Sequence, residues 1–301
     1  KPIYTLYGGK EDSLILFTSG STGNPKSVVL TNENLLASGI YMKNTGKIKA
    51  KVGERCLVCV PFSYPYGFAS TIMSLICGRV AVLAPTLSKD NIRYYLSKNP
   101  NYVFGSPALL ELIKRNVKDS DDLSSIHTFV SGGDFLSPMQ NVDGVEFFRK
   151  HGANTVICNG SGNAETVGTN TMAVGSLNRP ETVGRVLVGT KAIIVDPDTL
   201  EELKYGEEGM LCIAGKHIYK GYYKNEEMTK NTKFMYKGVE YYKTGNMGIL
   251  DNEGYFTLTG RSSRYYIRSD LNKVYLEHIQ NVIEWHLNFH YSAPFGVNDP
   301  R

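Results

Sequence analysis

The residues best suited to chemistry in this sequence form a loop near the amino end, T-S-G-S-T-G-N-P-K-S at residues 18–27. Its glycines can adopt positive φ and turn backbone N–H groups toward an anion, and its hydroxyls add further donors. Lys26 supplies a positive charge. The loop is not a Walker P-loop, because Pro25 precedes the lysine where that motif requires glycine. The composition predicts a phosphate-binding loop, and a polar surface loop is the alternative.

Apolar runs on both sides of the loop indicate the elements that must position it. Residues 13–19 and 27–32 are predicted strands, and the helical spacing that follows has Asn32 as its expected cap. Strand-like and helix-like runs alternate to about Asn163, which predicts an α/β domain with a largely parallel sheet. From Val183 onward, strands joined by turns predict an antiparallel sheet or barrel.

Length and charge favour a small-molecule substrate. The 301 residues are 42% hydrophobic and 21% charged, which is typical of a folded globular chain. The 33 lysines and arginines exceed the 29 acidic residues by only +4, too little to predict a nucleic-acid or anionic-membrane partner. The apolar runs fall short of the roughly 20 residues that a membrane-spanning helix needs. The amino end carries no apolar signal core, so we expect a cytoplasmic protein without membrane association.

Cysteine and histidine spacings offer weaker alternatives. The five irregularly spaced cysteines favour reduced thiols over a disulfide framework. Cys56 and Cys59 spell C-x-x-C, but they lie in an apolar run that predicts a buried strand and not a redox pair. His286 and His290 are four residues apart near Glu284, a spacing that can bind metal. Without H-E-x-x-H or a third ligand, we expect a pair on a helix surface.

The loop and the segments after it resemble the adenylate-forming enzymes, which include acyl-CoA synthetases, peptide-synthetase adenylation domains and luciferases. The family pattern is T-S-G-S-T-G-x-P-K-G followed by V-x-L-[ST]-H-x-N-L, and this chain departs from it only at Ser27 and Asn32. Six further segments follow in the family's order: PFSYPYGFAS, FVSGGDFLS, CNGSGNAET, YKGYY, YKTGN and TGR. The resemblance spans residues 14–283.

The resemblance implies a two-step reaction that uses ATP, Mg²⁺ and coenzyme A. A carboxylate attacks the α-phosphorus of ATP to give acyl-AMP and pyrophosphate, and a thiol then takes the acyl group. Coenzyme A is the expected acceptor, with a carrier-protein thiol as the alternative. The implied architecture is a large α/β domain over residues 1–260, with a parallel βαβ sheet and an antiparallel subdomain, without its usual amino-terminal part. Residues 261–301 would form the hinge and the start of a small lid domain.

The resemblance also assigns roles to individual residues. Catalytic roles fall to Lys26, Glu165 and Thr18, with Glu165 as the Mg²⁺ ligand. The expected nucleotide-binding residues are Thr18, Ser19, Gly20, Ser21, Thr22, Gly23, Lys26, Gly133, Asp134, Asn159, Gly160, Ser161, Asn246 and Arg261. The expected substrate pocket comprises Tyr64, Tyr66, Gly67, Phe68 and Gly162, and the expected hinge comprises Ser263 and Arg264.

Three departures from the family pattern fall at the nucleotide. Ser161 replaces the tyrosine that would stack on adenine, Ala164 replaces a threonine, and Asn246 replaces the aspartate that would accept the ribose hydroxyls. A neutral acceptor forms weaker hydrogen bonds than a charged one. The lid lysine that serves adenylation in the family has no counterpart in these residues. The alternative function is therefore a catalytically impaired nucleotide- or acyl-binding module.

The segment at residues 61–70 bears on the choice of acid. Relatives that activate amino acids carry an aspartate here, which pairs with the ammonium group of the substrate. This chain has Ser63, Tyr64 and Tyr66 and no carboxylate in the segment. A simple organic or fatty acid is therefore favoured.

Overall fold

An antiparallel hairpin and a helix begin the fold of the chain. The computed structural model describes residues 8–18, 26–47, 51–84, 86–134, 136–173, 175–179, 181–262, 265–267, 273–276, 279 and 282–283. Strands β1 (Asp12–Thr18) and β2 (Lys26–Thr31) pair antiparallel, and helix α1 (Asn32–Thr45) follows. The predicted, largely parallel sheet does not include these two strands, because they pair with each other as a hairpin in a separate sheet.

The helix cap lies one residue earlier than predicted. The Thr31 hydroxyl accepts the Asn34 N–H at 3.2 Å, and the Asn34 side chain accepts the Thr31 N–H at 2.9 Å. This reciprocal arrangement satisfies two backbone donors that the first turn leaves unpaired. Thr31 is therefore the cap, and Asn32, the predicted cap, is the first residue of the helix.

A parallel sheet forms the centre of the molecule and confirms the predicted α/β class. Its parallel strands lie in the order β4-β3-β5-β6-β7, and two short antiparallel strands, β8 and β9, extend it. The strands are β3 (Arg55–Val58), β4 (Val80–Leu83), β5 (Tyr102–Gly105), β6 (Thr128–Ser131), β7 (Val156–Ser161), β8 (Thr171–Met172) and β9 (Arg185–Val186). The connecting helices are α2 (Pro65–Ile76), α3 (Ile92–Leu96), α4 (Pro107–Asn116) and α5 (Pro138–Lys150).

The second half of the chain folds into the predicted antiparallel sheet. Its path is β10-β11-β14-β13, with β15 paired to β14. The elements are β10 (Lys191–Val195), β11 (Glu208–Ala214), β12 (Gly221–Tyr222), α6 (Glu226–Asn231), β13 (Lys233–Tyr236), β14 (Val239–Leu250), β15 (Phe256–Arg261), β16 (Tyr265–Ile267) and β17 (Lys273–Tyr275). Strand β12 is not part of this sheet. It pairs with β2, so β1, β2 and β12 form a separate three-stranded sheet.

Two apolar cores lie on opposite faces of the parallel sheet. Cys56 and Val58 of β3 point into a core shared with the hairpin and the antiparallel sheet, whereas Leu57 points to a second core beneath α3, α4 and α5. This alternation follows from the period of two along a strand. The shared core fixes the hairpin against both sheets, since its members come from all three.

Cys56 agrees with the core-packing prediction, whereas Cys59 lies one residue beyond β3 and is only partly buried. All five cysteines are free thiols, and Cys56 is fully buried on β3. Burial raises the pKa of the Cys56 thiol to about 11, because the thiolate would lose its hydration.

Within the described ranges, no helix combines the length and apolar character needed to cross a membrane. Ser263, Arg264, His286 and His290 lie outside the described residues, so the predictions made for them remain predictions.

A buried histidine makes the stability of this fold sensitive to pH. His217 is completely buried, with the Tyr41 ring edge-on at 5.4 Å. Neither ring nitrogen has a hydrogen-bond partner among the described residues. Burial lowers the pKa of His217 to about 4, because the charged imidazolium would lose its hydration.

We expect the free energy of unfolding to fall as the pH drops from 6.5 to 4. The unfolded histidine binds a proton near pH 6.5, whereas the folded one binds it only near pH 4. Acidification therefore lowers the free energy of unfolding inside this window, by about 2 kcal/mol at pH 5, and below pH 4 the loss stays constant. Urea unfolding at pH 7 and pH 5 measures the loss. The His217→Met variant should show a pH dependence smaller by about that amount, and an unchanged pH dependence would contradict this account.

Candidate functional site

A cavity of about 650 Å³ opens at the carboxyl edge of the parallel sheet. Strands β3 and β5 are neighbours, but β3 connects to β4 on one side and β5 connects to β6 on the other. Open α/β sheets bind ligands at such a switch in strand order, because the two connections diverge and leave a crevice. Cys59 and Val60 beyond β3, with Gly105 and Ser106 at the end of β5, line the cavity.

Predicted site residues from four separate segments surround this cavity. Those that line it are Thr18, Tyr64, Tyr66, Gly133, Asp134, Gly160, Ser161 and Gly162. Thr18 ends β1 and pairs with Lys26 at the start of β2, so the two ends of the phosphate-binding loop are held side by side. The loop residues Ser19, Gly20, Ser21, Thr22 and Gly23 lie outside the described residues.

Tyr66 forms a rigid wall of the cavity. Its hydroxyl donates to the Val130 carbonyl at 2.9 Å, and burial raises the pKa of the Tyr66 phenol far above its ordinary value. Gly132 and Gly168 contact it closely, since an added Cβ would lie 3.2 Å from the Tyr66 ring and 2.6 Å from its backbone nitrogen, respectively. Glycine at positions 132 and 168 therefore allows the backbone to pack directly against Tyr66.

The other predicted pocket residues occupy different places around Tyr66. Tyr64 also lines the cavity, and 61% of its surface is exposed, so it lies at the rim. Gly67 packs tightly against the backbone of residues 60–61. The Phe68 ring stacks on Phe62 with centroids 4.8 Å apart. Gly67 and Phe68 thus support the segment that carries Tyr66.

Apolar side chains from distant elements complete the cavity. Met42 of α1, Leu109 of α4, Val130 of β6 and Met172 of β8 all line it. Motif comparison missed Met42, Leu109 and Met172, because only the packing of the helices and strands brings them to one space. Such a surface favours an apolar group of a ligand.

The predicted adenine and ribose positions meet beside the cavity. The Asn246 amide donates to the Ser161 hydroxyl at 3.3 Å, and Asn246 is buried. Arg261 pairs with Asn246 across β14 and β15. Asn159 precedes this site on β7, next to Ser131 of β6. The structure therefore brings together positions that lie 85 residues apart in the chain.

Glu165 and Lys26 approach a common side chain, that of Tyr222. Glu165 is buried in the short turn Ala164–Thr166, and the Tyr222 hydroxyl donates to its Oε1 atom at 2.5 Å. The Lys26 ammonium lies 5.8 Å from the centroid of the Tyr222 ring. Burial and the Glu165 carboxylate raise the pKa of Tyr222 far above its ordinary value, so the phenol stays a donor. Tyr222 belongs to the YKGYY segment at residues 219–223, to which the family resemblance assigns no role.

The donor set at Glu165 fits a magnesium ion that is shared with phosphate. No group of three or more His, Cys, Asp or Glu side chains gathers anywhere in the described part of the chain. Magnesium in phosphate-transfer sites takes one or two carboxylates and completes its shell with phosphate oxygens and water. Glu165 is therefore suited to an ion that arrives with a nucleotide.

Comparison with known proteins identifies the family of this chain. The model of the AMP-binding enzyme family matches residues 9–223. An acyl-CoA ligase of Ajellomyces capsulatus is 28% identical over 276 residues, covering 87% of this chain and 45% of its own length. A medium/long-chain fatty-acid CoA ligase of Mycobacterium marinum is 28% identical over 309 residues, covering 97% and 55%. The chain spans about half the length of these relatives.

Solved structures share the fold. The ATP-bound MatB protein of Rhodopseudomonas palustris superposes with a TM-score of 0.79 at 23% identity, over 92% of this chain and 53% of that one. O-succinylbenzoate coenzyme A synthetase of Bacillus subtilis, solved with AMP, gives 0.76 at 21% identity, over 93% and 55%. The mixed α/β architecture, with its parallel and antiparallel sheets, is shared with these two proteins.

The contact between Gly168 and Tyr66 leads to a stability prediction with a matched control. Gly168 has φ +79° and Gly254 has φ +86°, but an added Cβ at Gly254 meets nothing within 4 Å. Alanine costs about 1–2 kcal/mol in this conformation at either position. Gly168→Ala should lose a further ~1–3 kcal/mol, because its Cβ overlaps the Tyr66 backbone. Urea unfolding of the two variants measures this difference, and equal losses would show that the wall is not tightly packed.

Proposed function

We propose that this chain, which belongs to the AMP-binding enzyme family, carries the nucleotide and acyl sites of an ATP-dependent acid–thiol ligase. A carboxylate oxygen of the acid attacks the α-phosphorus of ATP, the bond to the β-phosphate oxygen breaks, and pyrophosphate leaves. A thiolate sulfur then attacks the acyl carbon, and AMP leaves with the electron pair of the broken C–O bond. The CoA ligases among the relatives favour coenzyme A as the thiol.

The observation that carries this proposal is an apolar cavity lined in part by Thr18 and Ser161, with Lys26 paired to Thr18 and Asn246 hydrogen-bonded to Ser161. Ser161 and Asn246 lie together on one side, and Lys26 and Glu165 meet at Tyr222. The cavity is lined by residues of both the phosphate-loop hairpin and the Ser161 turn. A nucleotide bound at Ser161 and Asn246, with its phosphates toward Lys26, would present its α-phosphorus to an acid in the cavity.

Each side chain has a proposed part in the first step. Lys26 and residues 20–23 would hold the β- and γ-phosphates, where charge accumulates as pyrophosphate leaves. Glu165 would hold the magnesium ion, which supplies further neutralisation of phosphate charge when it is bound. Asn246 and Arg261 would orient the ribose, and the cavity would place the carboxylate for attack. Asn246 offers the ribose a neutral acceptor, which predicts modest nucleotide affinity.

The proposed acid has an apolar body. Met42, Leu109 and Met172 line the cavity, and Tyr66 stays uncharged. The segment at residues 61–70 has no carboxylate to pair with the ammonium of an amino acid.

We propose residues 1–260 as the large domain and residues 261–301 as the hinge and the start of the lid, with the pivot at Ser263 or Arg264.

An exchange assay tests the reaction. With ATP and Mg²⁺, the chain should incorporate labelled pyrophosphate into ATP only when an acid is present. Fatty and aromatic acids should support exchange, and amino acids should stay at background, because their ammonium would be buried without a partner. Binding of ATP without exchange for any acid would favour the binding-module alternative. Amino acids as the best substrates would contradict the assignment of the cavity.

Replacing Lys26 tests the phosphate-binding half of the site. Lys26→Ala should weaken ATP binding about tenfold, the effect of losing one charged hydrogen bond. AMP binding should be unchanged, because AMP lacks the β- and γ-phosphates. Calorimetric titration of both nucleotides measures this difference, with the exposed Lys230→Ala on α6 as the control. An equal loss for ATP and AMP would contradict the assigned contact.

A further inference from the structure

We propose that Tyr222 is a positioning residue that aims the Glu165 carboxylate at the phosphate-bound magnesium ion and ties it to the strand carrying Lys26. This inference rests on the proposed function of Glu165. It adds a second residue to the metal site and explains how two distant parts of the chain are kept in register there.

The turn that holds Glu165 needs support from outside. It is a single 3₁₀ turn, Ala164–Thr166, followed by Val167 in the left-handed conformation. Two hydrogen bonds from residues 219–222 reach Glu165. The Tyr219 N–H donates to its backbone carbonyl at 2.7 Å, and the Tyr222 hydroxyl donates to its Oε1 atom at 2.5 Å. The backbone and the side chain of Glu165 are therefore both held by one short segment.

Tyr222 is itself fixed by its neighbours. It pairs with Val28 in the β12–β2 ladder, and its N–H donates to the Thr229 hydroxyl at 2.8 Å. The Tyr219 ring packs against it with centroids 5.0 Å apart. Only 6% of Tyr222 is exposed, so its ring has little freedom to turn. The Tyr222 hydroxyl can therefore hold the Glu165 carboxylate in one orientation.

The same tyrosine links Glu165 to the phosphate-binding loop. Strand β2 begins at Lys26, two residues before the partner of Tyr222 in the ladder. Flanking backbone bonds reinforce the ladder, from the Lys220 N–H to the Val29 carbonyl at 3.0 Å and from the Tyr223 N–H to the Ser27 carbonyl at 2.8 Å. The backbone position of Lys26 relative to the Glu165 carboxylate is thus tied to Tyr222.

Outer hydrogen bonds of this kind orient metal ligands, and removing one typically lowers metal affinity 10–100-fold. No group of three or more His, Cys, Asp or Glu side chains gathers in the described residues, so the orientation of Glu165 depends on its own hydrogen bonds. Tyr222 supplies one such bond without adding charge.

The test is the magnesium dependence of ATP binding by the chain. Tyr222→Phe removes only the hydroxyl, so the Mg²⁺ concentration that half-saturates ATP binding should rise roughly 10–100-fold. AMP affinity measured without metal should stay within twofold of wild type. Tyr236→Phe is the matched control, because it removes a Tyr–Glu hydrogen bond of 3.0 Å to Glu202 in the antiparallel sheet. This control should leave the Mg²⁺ requirement unchanged.

A double-mutant cycle separates positioning from general damage. Glu165→Gln should raise the Mg²⁺ requirement, and adding Tyr222→Phe to it should raise the requirement no further, because the carboxylate to be aimed is absent. Additive losses, a wild-type Mg²⁺ requirement in Tyr222→Phe, or an equal fall in AMP affinity would overturn the positioning role. If Glu165→Gln leaves the requirement unchanged, the metal role of Glu165 in the proposed function fails, and the role of Tyr222 fails with it.

Discussion

The pairing of β2 with β12 is the constraint on which the rest of the site depends. Only two residue pairs form this ladder, Val29 with Gly221 and Val28 with Tyr222. They join a hairpin at the start of the chain to a segment about 190 residues later. The shared apolar core holds the hairpin against both sheets, and the ladder adds a fixed backbone register between β2 and the segment that contacts Glu165. Because of this register, Lys26 and Glu165 both approach one buried tyrosine.

The site also separates polar from apolar recognition. Ser161 and Lys26 lie at strand ends and Glu165 lies in a turn, where backbone groups and short side chains can face a ligand, whereas Asn246 lies within β14. The apolar wall comes from two helices, at Met42 and Leu109, and from strands β6 and β8, at Val130 and Met172. A phosphate-bearing ligand and an apolar acid would therefore be held by different elements of one rigid core. Such a division suits a reaction that joins two unlike substrates, because each is bound by surfaces of its own kind.

The pattern of apolar runs predicted the two kinds of sheet, and the ordered motifs predicted some of the residues that line the cavity, because motifs report local backbone shape and side-chain type. The apolar pattern did not predict that β1 and β2 form a separate sheet, because a strand pattern does not reveal its partner. It placed the helix cap at Asn32, since hydroxyl and amide side chains compete at adjacent positions and Thr31 forms the reciprocal bond. Tyr222 received no role, because its contact with Glu165 depends on the register of two strands distant in sequence.

The most direct test of the whole account is a crystal structure of the chain with ATP and Mg²⁺. The account predicts the ribose against Asn246, the terminal phosphates within hydrogen-bonding distance of Lys26, and the metal coordinated by Glu165 while Tyr222 still donates to it. A nucleotide bound elsewhere, or one in this cleft whose phosphates point away from Lys26, would contradict the central claim that this junction is built for a nucleoside triphosphate.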